Sequence, residues 1–327
     1  MTASSSHPAR AKHTAATTAS IVLAFLSVYF FWGSTYTAIR VGAAQMPPFL
    51  LAGTRFLIAG LILLGWCRWR GLQLKLPAKT MLMLGLIGLL LLGVGNVCLI
   101  YAEQSVSSGL SSLVFAVTPL YVACFEILLP TGEPLPRRGW FGLLLGFAGL
   151  AALLWPSLHT GLRGNRTLLW AIVALLAGAL FWALGSTLSR HVRLKVDVLV
   201  AASWQMIAAG IFGTVCGTAL GEWPQFHLNR SAVGSLAYLV TGGSLLGYTS
   251  FIYLLEHVPV AKVMSYTYVN PVVAVLLGIV LLHERPVAAE YAGMACIVVA
   301  VFLLTTALVK AKGAAPPIEE LEQMPAE

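Results

Sequence analysis

The chain has 327 residues, of which 58% are apolar and only 10% charged, and its formal net charge is +8. Soluble domains carry about 25% charged residues, so this composition excludes a soluble protein and predicts an integral membrane protein, in keeping with a mean hydropathy of +0.85. The basic residues lie mostly in short connections between apolar runs, where they set membrane orientation rather than bind nucleic acid.

The five cysteines lie within or beside apolar runs and form no CxxC pair. Thiols in such positions act as small hydrophobic side chains. Neither a disulfide framework nor a metal site is therefore predicted, and no cofactor is expected.

Ten apolar runs follow an N-terminal segment that is rich in Ser, Thr and Ala. Each run approaches the length of about 20 mostly apolar residues that a membrane-spanning helix needs, and helices satisfy their own backbone polar groups where water is absent. The predicted fold class is an all-α integral membrane protein with ten transmembrane helices, at 20–39, 48–67, 80–102, 107–129, 138–156, 167–189, 198–220, 231–255, 260–282 and 287–309.

The basic residues predict which way the helices run. With the N-terminus in the cytoplasm, fourteen of the twenty Lys and Arg residues fall in cytoplasmic segments, five fall outside, and Arg55 lies within a span. Cytoplasmic loops carry an excess of Lys and Arg. Both termini are therefore predicted to be cytoplasmic, with 1–18 and 311–327 as tails.

An internal repeat appears when the chain is compared with itself at an offset of about 150 positions. Residues 33–35 and 185–187 are both Gly-Ser-Thr, and Pro119 matches Pro271. Each copy holds five predicted spans, so the second copy must enter the membrane from the opposite side. Inverted repeats are typical of secondary transporters, although a duplicated bundle that transports nothing has the same pattern. The two five-helix repeats are predicted at 19–157 and 165–310.

Several short motifs occur in order along the two repeats. They are Trp32–Tyr36, Arg55-Phe56, Ser108–Leu110, Thr118–Leu120, Gly132–Pro134, Ser265-Tyr266 with Val269–Val275, and His283–Pro286. On these residues the chain resembles the EamA-type permeases of the drug/metabolite transporter superfamily.

The resemblance implies ten helices in two inverted repeats, in a bacterial cytoplasmic (inner) membrane, around a central cavity lined by helices one, three, four, six, eight and nine. It also implies export of small metabolites such as amino acids, or of drug-like compounds. The chain departs from symmetry where Trp204-Gln205 stands opposite Arg55. It also lacks the paired basic residues in helix nine expected of sugar-phosphate exchangers, which disfavours a phosphate-bearing substrate.

Polar and aromatic residues within the spans are the candidates for substrate binding, because aromatic walls with a few hydrogen-bonding groups form small-molecule pockets. Two other roles remain open: Ser, Thr and Gly mediate close helix packing, and Tyr and Trp form interfacial belts. The candidates are Trp32, Ser34, Tyr36, Arg55, Asn96, Thr118, Trp182, Ser186, Tyr248, Tyr253, Tyr266 and Asn270.

Arg55 is a functional candidate because charges are costly within a bilayer. It lies about seven residues into its span, roughly 10 Å along the helix axis at 1.5 Å per residue. It can attract a carboxylate substrate, pair with Glu103, or tie its helix to neighbouring carbonyls.

Two carboxylates and two prolines complete the predicted site. Glu103 and Glu126 can bind a proton if transport is proton-coupled, or extend to the membrane interfaces. Pro119 and Pro271 each remove a helical hydrogen bond and kink their helix. At matched positions of two repeats, such kinks can act as gates or simply shape the bundle.

The function predicted from these features is export of small amphipathic metabolites by alternating access, with the substrate and the lipid bilayer as partners and no oligomer required. The chain has no Gly-Lys phosphate-binding motif, no HExxH and no GxSxG, so neither an ATP-driven pump nor a membrane enzyme is predicted. A facilitative, channel-like uniporter and a non-transporting scaffold remain the alternatives.

Overall fold

The computed structural model describes residues 18–128, 137–192, 194–258, 263–286 and 288–313. Helices and short connections account for these ranges, which contain no strand. Most of both predicted tails, and the Gly132–Pro134 motif, lie outside the described residues.

The described ranges form ten helical rods, numbered here α1 to α10 in chain order. The first eight are long and apolar enough to cross a membrane, whereas α9 and α10 contain shorter apolar stretches, Val269–Leu282 and Tyr291–Leu303. The predicted all-helical membrane protein is thus confirmed with eight candidate spans. The rods are α1 Thr18–Ala43, α2 Pro48–Trp69, α3 Ala78–Glu103, α4 Ser108–Leu128, α5 Arg137–Leu162, α6 Arg166–Val192, α7 Val198–Ala219, α8 Arg230–His257, α9 Tyr266–Leu282 and α10 Ala288–Gly313.

Local sequence accounts for several helix ends. Asp197 caps the start of α7, where its carboxylate accepts a hydrogen bond from the Leu199 N–H at 2.9 Å, and the Asn229 side chain caps α8 in the same way. Such residues satisfy the N–H groups that a first turn leaves free. Gly71 and Gly221 follow α2 and α7 with φ of +72° and +70°, a conformation that glycine adopts without strain.

Small residues allow α2 and α7 to pack closely along their lengths. A Cβ atom added at Gly53 would lie 2.5 Å from the Thr214 backbone nitrogen, and one at Gly210 would lie 2.5 Å from that of Leu57. Backbones approach this closely in membranes where side chains are small. α5 and α10 form a second long pair, so each pair joins helices of the same rank in the two halves of the chain.

Irregular backbone interrupts four of the rods and precedes a fifth. π-Helical turns occupy Val28–Trp32 in α1, Leu89–Val94 in α3 and Leu239–Tyr248 in α8. Turns interrupt the helix at 116–117 in α4 and at 264–265, just before α9. π-Turns concentrate at functional sites. The interruptions in α3 and α8, and those at α4 and α9, occur in helices that hold the same position within the two halves of the chain.

Two carboxylates of the second half cap helices of the first. Glu222 accepts from the Leu50 N–H at 2.9 Å at the start of α2. Glu284 accepts from the Ser108 N–H at 2.8 Å and from the Ser108 hydroxyl at 2.9 Å at the start of α4. These contacts satisfy free N–H groups and complement the positive end of each helix dipole, so they tie the two halves together.

Candidate functional site

A cavity lies between the irregular parts of the helices and, counted with its open mouth, has a volume of about 670 Å³. α1, α3, α4, α6, α8 and α9 contribute to its wall, and α2 adds Arg55 and Phe56. The lining residues are Trp32, Thr35, Tyr36, Ile39, Arg55, Phe56, Leu92, Asn96, Leu99, Ser112, Phe115, Ala116, Thr118, Trp182, Gly243, Tyr248, Tyr266, Thr267, Asn270 and Pro271.

Most of the candidate binding residues meet in this cavity although they are distant in sequence. Those that line it are Trp32, Tyr36, Arg55, Asn96, Thr118, Trp182, Tyr248, Tyr266 and Asn270. The other three candidates, Ser34, Ser186 and Tyr253, are not among the lining residues.

Two of these three residues use their hydroxyls in contacts between α1 and α8. Ser34 donates to the Phe30 carbonyl at 2.7 Å and lies 2.5 Å from the Tyr238 hydroxyl of α8. Tyr253 pairs with Ser20 at 2.9 Å, which joins α8 to α1. Ser186 is buried in α6 without a hydrogen-bond partner among the described residues. Ser34 and Tyr253 therefore hold α1 against α8.

Aromatic rings form one side of the cavity. The ring of Trp32 meets the rings of Trp182 and Tyr266 edge-on, at centroid distances of 5.4 and 5.1 Å, and Phe251 packs behind it at 4.8 Å. The Trp32 indole donates to the Gly243 carbonyl at 3.1 Å. Tilted aromatic pairs at these distances are favourable, and the hydrogen bond holds the Trp32 ring against α8.

The predicted gating prolines differ in their surroundings. Pro119 is the second residue after the turn in α4, and Pro271 lies inside α9 and lines the cavity. Because proline has no N–H, Pro119 cannot donate to the Phe115 carbonyl. The Thr118 hydroxyl donates to that carbonyl at 2.6 Å instead. In α9, the Thr267 hydroxyl likewise donates to the Met264 carbonyl at 2.7 Å.

Asn270 connects α9 to α1. In the orientation that satisfies its hydrogen bonds, its amide nitrogen donates to the Tyr266 carbonyl at 3.2 Å and to the Tyr29 carbonyl at 3.3 Å. The Tyr29 hydroxyl in turn lies 2.6 Å from the Ser265 hydroxyl. The turn before α9 is thus anchored to the π-helical turn of α1.

Arg55 is only 4% exposed and lies at the wall of the cavity. Its Nε donates to the Ser244 hydroxyl at 3.0 Å, and its Nη1 donates to Asn96 Oδ1 at 3.4 Å. Its guanidinium also lies 4.7 Å from the centroid of the Phe56 ring. None of the carboxylates with described side chains forms an ion pair with it, so its nearest partners are neutral.

The two carboxylates predicted to bind protons are separate from this wall. Glu103 is fully buried, and neither of its carboxylate oxygens has a hydrogen-bond partner among the described residues. Its backbone carbonyl accepts a hydrogen bond from Arg40, and its side chain does not pair with Arg55. The Glu126 side chain lies outside the described residues. No group of three or more metal-ligating side chains occurs in the described ranges.

Some lining residues were missed by the sequence-based prediction although a signal was present. Thr35 and Ile39 lie three and seven residues after Trp32, on the helix face that Trp32 shares with Tyr36. Ser112 and Phe115 have the same three-residue spacing in α4. For Gly243 no such signal exists, because the surrounding π-turns of α8 change the helical period.

Comparison with known proteins was consistent with this architecture. The family described as "EamA-like transporter family" matches residues 19–155 and 169–306. The chain is 38% identical over 283 residues to the inner membrane transporter YedA of Escherichia coli strain K12, covering 86% of this chain and 89% of that protein. It is 28% identical over 309 residues to the transporter YvbV of Bacillus subtilis strain 168, covering 93% and 97%.

A solved crystal structure superposes with a TM-score of 0.66, at 21% identity, over 89% of this chain and 99% of the other. This likeness shows a shared fold. With both halves matched to one family, the chain belongs to the EamA-like transporter family and is an EamA-type permease of the drug/metabolite transporter superfamily.

Proposed function

We propose that the protein is a secondary transporter that exports small amphipathic metabolites, such as amino acids or drug-like compounds, by alternating access. The observation that carries this proposal is the cavity among the helices of the duplicated bundle, about 670 Å³ when its open mouth is included. It combines aromatic walls with a few polar groups, as small-molecule sites do.

Alternating access requires two halves that move against each other about a fixed site. We propose that the ten rods are ten spans in two inverted five-helix repeats. The pairing of α2 with α7 and of α5 with α10 supports this arrangement, because an inverted duplication places helices of equal rank side by side. The duplicated family match supports it as well.

The substrate would bind between the Trp32 wall and the polar groups of α3, α8 and α9. Tyr36, Asn96, Thr118 and Tyr248 are polar residues of its lining. We propose that the turns near Pro119 and Pro271 act as the gates, because a helix bends where its hydrogen-bond ladder is already interrupted.

Proton coupling is proposed at Glu103, with Glu126 as the second candidate. A carboxyl group that is buried without a hydrogen bond is costly when ionised, and such a group inside a membrane is a candidate proton carrier. If transport is instead independent of protons, the protein is a facilitative uniporter.

The proposed location is a bacterial inner membrane with both termini in the cytoplasm. The inner membrane location of the relative from Escherichia coli supports the membrane assignment, and the distribution of Lys and Arg supports the orientation. We propose that transport requires no oligomer, and the position of the cavity within a single chain supports this.

The test is transport by the purified protein in proteoliposomes that are offered a broad metabolite panel. If the protein is a transporter as proposed, the wild-type protein should exchange at least one compound of the panel. Ala116→Phe, which fills the cavity, is expected to reduce the rate about tenfold or more, as loss of a binding site would. The same change at the exposed Ala151 is the control and should leave the rate unchanged.

Absence of exchange for every compound would favour the non-transporting scaffold and overturn the proposal. Coupling is tested in the same vesicles. Uptake that persists unchanged after the proton gradient is collapsed would exclude proton antiport and leave the facilitative uniporter.

A further inference from the structure

We propose that the cavity selects substrates that carry a single carboxylate on an apolar or aromatic body, and that the guanidinium of Arg55 is the group that binds the carboxylate. This inference rests on the proposed transport function and names the substrate class of the same site.

The argument begins with charge. Arg55 is the only ionised side chain among the described residues that line the cavity, and it is almost fully buried. Buried charges in proteins are normally paired, because an isolated charge in an apolar environment is costly. No carboxylate with a described side chain pairs with Arg55, so within the described part of the chain this cation has only neutral partners.

The neighbours of Arg55 orient the guanidinium without neutralising it. A guanidinium has five N–H donors, and the two hydrogen bonds, to Ser244 and Asn96, use two of them. The Asn96 amide is itself held by a hydrogen bond to the Leu91 carbonyl at 3.4 Å, so its oxygen faces Arg55. The remaining donors suit a carboxylate, which binds the planar fork through two parallel bonds.

The π-helical turns bring these partners together. Ser244 lies inside the π-helical stretch of α8, and Asn96 follows the one in α3. Gly243 leaves room for the guanidinium, because a Cβ atom there would lie 2.6 Å from Arg55 Nη2. Two helices of equal rank in the two halves therefore each provide one neutral acceptor to the same cation.

The matching position in the second half is already satisfied within the protein. Gln205 stands opposite Arg55 in the repeat, and its amide oxygen accepts a hydrogen bond from the Tyr248 hydroxyl at 2.5 Å. Glu103, the other buried charge considered for Arg55, lies beside Arg40 instead. The asymmetry leaves one cationic site in a cavity that is otherwise neutral.

The other walls indicate what the carboxylate is attached to. One wall is an aromatic cluster formed by the rings of Trp32, Trp182 and Tyr266. Among the described lining residues there is no second cation. One guanidinium matches one carboxylate, whereas a phosphate or dicarboxylate would leave charge unbalanced between walls that are mostly apolar. The site therefore fits a monocarboxylate with an apolar body.

The first test compares probe pairs on the purified full-length protein in detergent. The probes are aromatic and aliphatic monocarboxylates, such as 3-phenylpropionate, each measured beside its primary amide by isothermal titration. The wild type is expected to bind at least one acid about tenfold or more tightly than its amide, the contribution of one charge-assisted hydrogen bond. A panel in which no acid binds more tightly than its amide overturns the proposal.

Variants then assign the preference to Arg55. Arg55→Gln should bring the acid and amide affinities to within about twofold of each other, while Arg55→Lys should keep part of the preference because the charge remains without the planar fork. Arg68→Gln, at an exposed position of the same helix, should keep the wild-type ratio. A ratio that persists in Arg55→Gln contradicts the assignment. If Arg55→Gln does not fold, Arg55→Lys is measured instead, and a wild-type acid-to-amide ratio in that variant contradicts the assignment.

Transport assays separate this inference from the proposed function. Exchange of amides and acids at equal rates by the wild type would refute the carboxylate preference and leave transport intact. A binding preference for acids without any exchange in proteoliposomes would support the site and refute the transporter.

Discussion

Replacement of Gly243 by alanine tests the close contact between α8, α1 and Arg55. The added Cβ atom would lie 2.6 Å from Arg55 Nη2 and 2.6 Å from Thr35 Cγ2, whereas ordinary van der Waals contacts begin near 3.4 Å. Both neighbours must therefore move by about 0.8 Å, the difference between these two distances.

The two neighbours differ in how easily they can move. The guanidinium is the end of a flexible side chain, but its displacement strains the hydrogen bond to Ser244. Thr35 is held by a hydrogen bond from its hydroxyl to the Trp32 carbonyl at 2.6 Å. Overpacking of a close contact typically costs about 1–3 kcal/mol, so Gly243→Ala should lower the free energy of unfolding by that amount.

The assay is reversible unfolding in mixed micelles, with thermal unfolding as a second measurement. Gly234→Ala is the matched control, since it lies on the same helix and a Cβ atom there has no neighbour within 4 Å. Alanine at that position should be neutral or stabilising by up to about 1 kcal/mol, given its higher helix propensity. Equal unfolding free energies for the two variants would refute the contact, and with it the described position of Arg55.

Three further predictions concern the helix pairs, the caps and the buried acid. Gly210→Ala should destabilise the protein by about 1–3 kcal/mol, because the added Cβ would meet the Leu57 backbone in the α2–α7 pair. Gly65→Ala, at a position that faces open space, is the control and should not destabilise it. Equal unfolding curves for the two variants would contradict the described packing. Glu284→Gln should lower unfolding stability by about 1 kcal/mol through its contacts with α4, and an unchanged unfolding midpoint would show that the cap is dispensable. Glu103→Gln should abolish the pH dependence of exchange in proteoliposomes if this acid carries the proton, and a retained dependence would move the coupling site elsewhere.

The membrane fold was predictable because it depends on composition and length. Runs of about 20 apolar residues identify spans regardless of what they contact, and the helices described here fall close to the predicted runs. The lining of the cavity by Trp32 and Tyr36 was predictable for a similar reason, since residues four apart share one helix face.

The partners of Arg55 could not be predicted in this way. Ser244 lies within π-turns, where the period of 3.6 residues no longer gives the facing side chains. Ser34, by contrast, was predicted as a binding residue but does not line the cavity. It neighbours cavity residues in sequence, but its hydroxyl bonds to its own helix and to Tyr238. Both outcomes depend on how helices distant in sequence meet, which no local pattern contains.

The π-helical stretch of α8 spans ten residues, Leu239–Tyr248, and has a consequence for movement in lipid. Hydrocarbon offers no water to an amide released from its carbonyl, so a helix there cannot bend by unwinding. A π-turn differs from an α-turn only in whether an N–H bonds five or four residues back. When N–H groups change from the carbonyl five residues back to the carbonyl four residues back, one part of the helix shifts past the other by a fraction of a turn. Each amide then keeps a carbonyl partner within the helix. If the two halves move as proposed, the segment that carries Gly243 and Ser244 would reorient the cavity wall as a sliding joint rather than as a hinge.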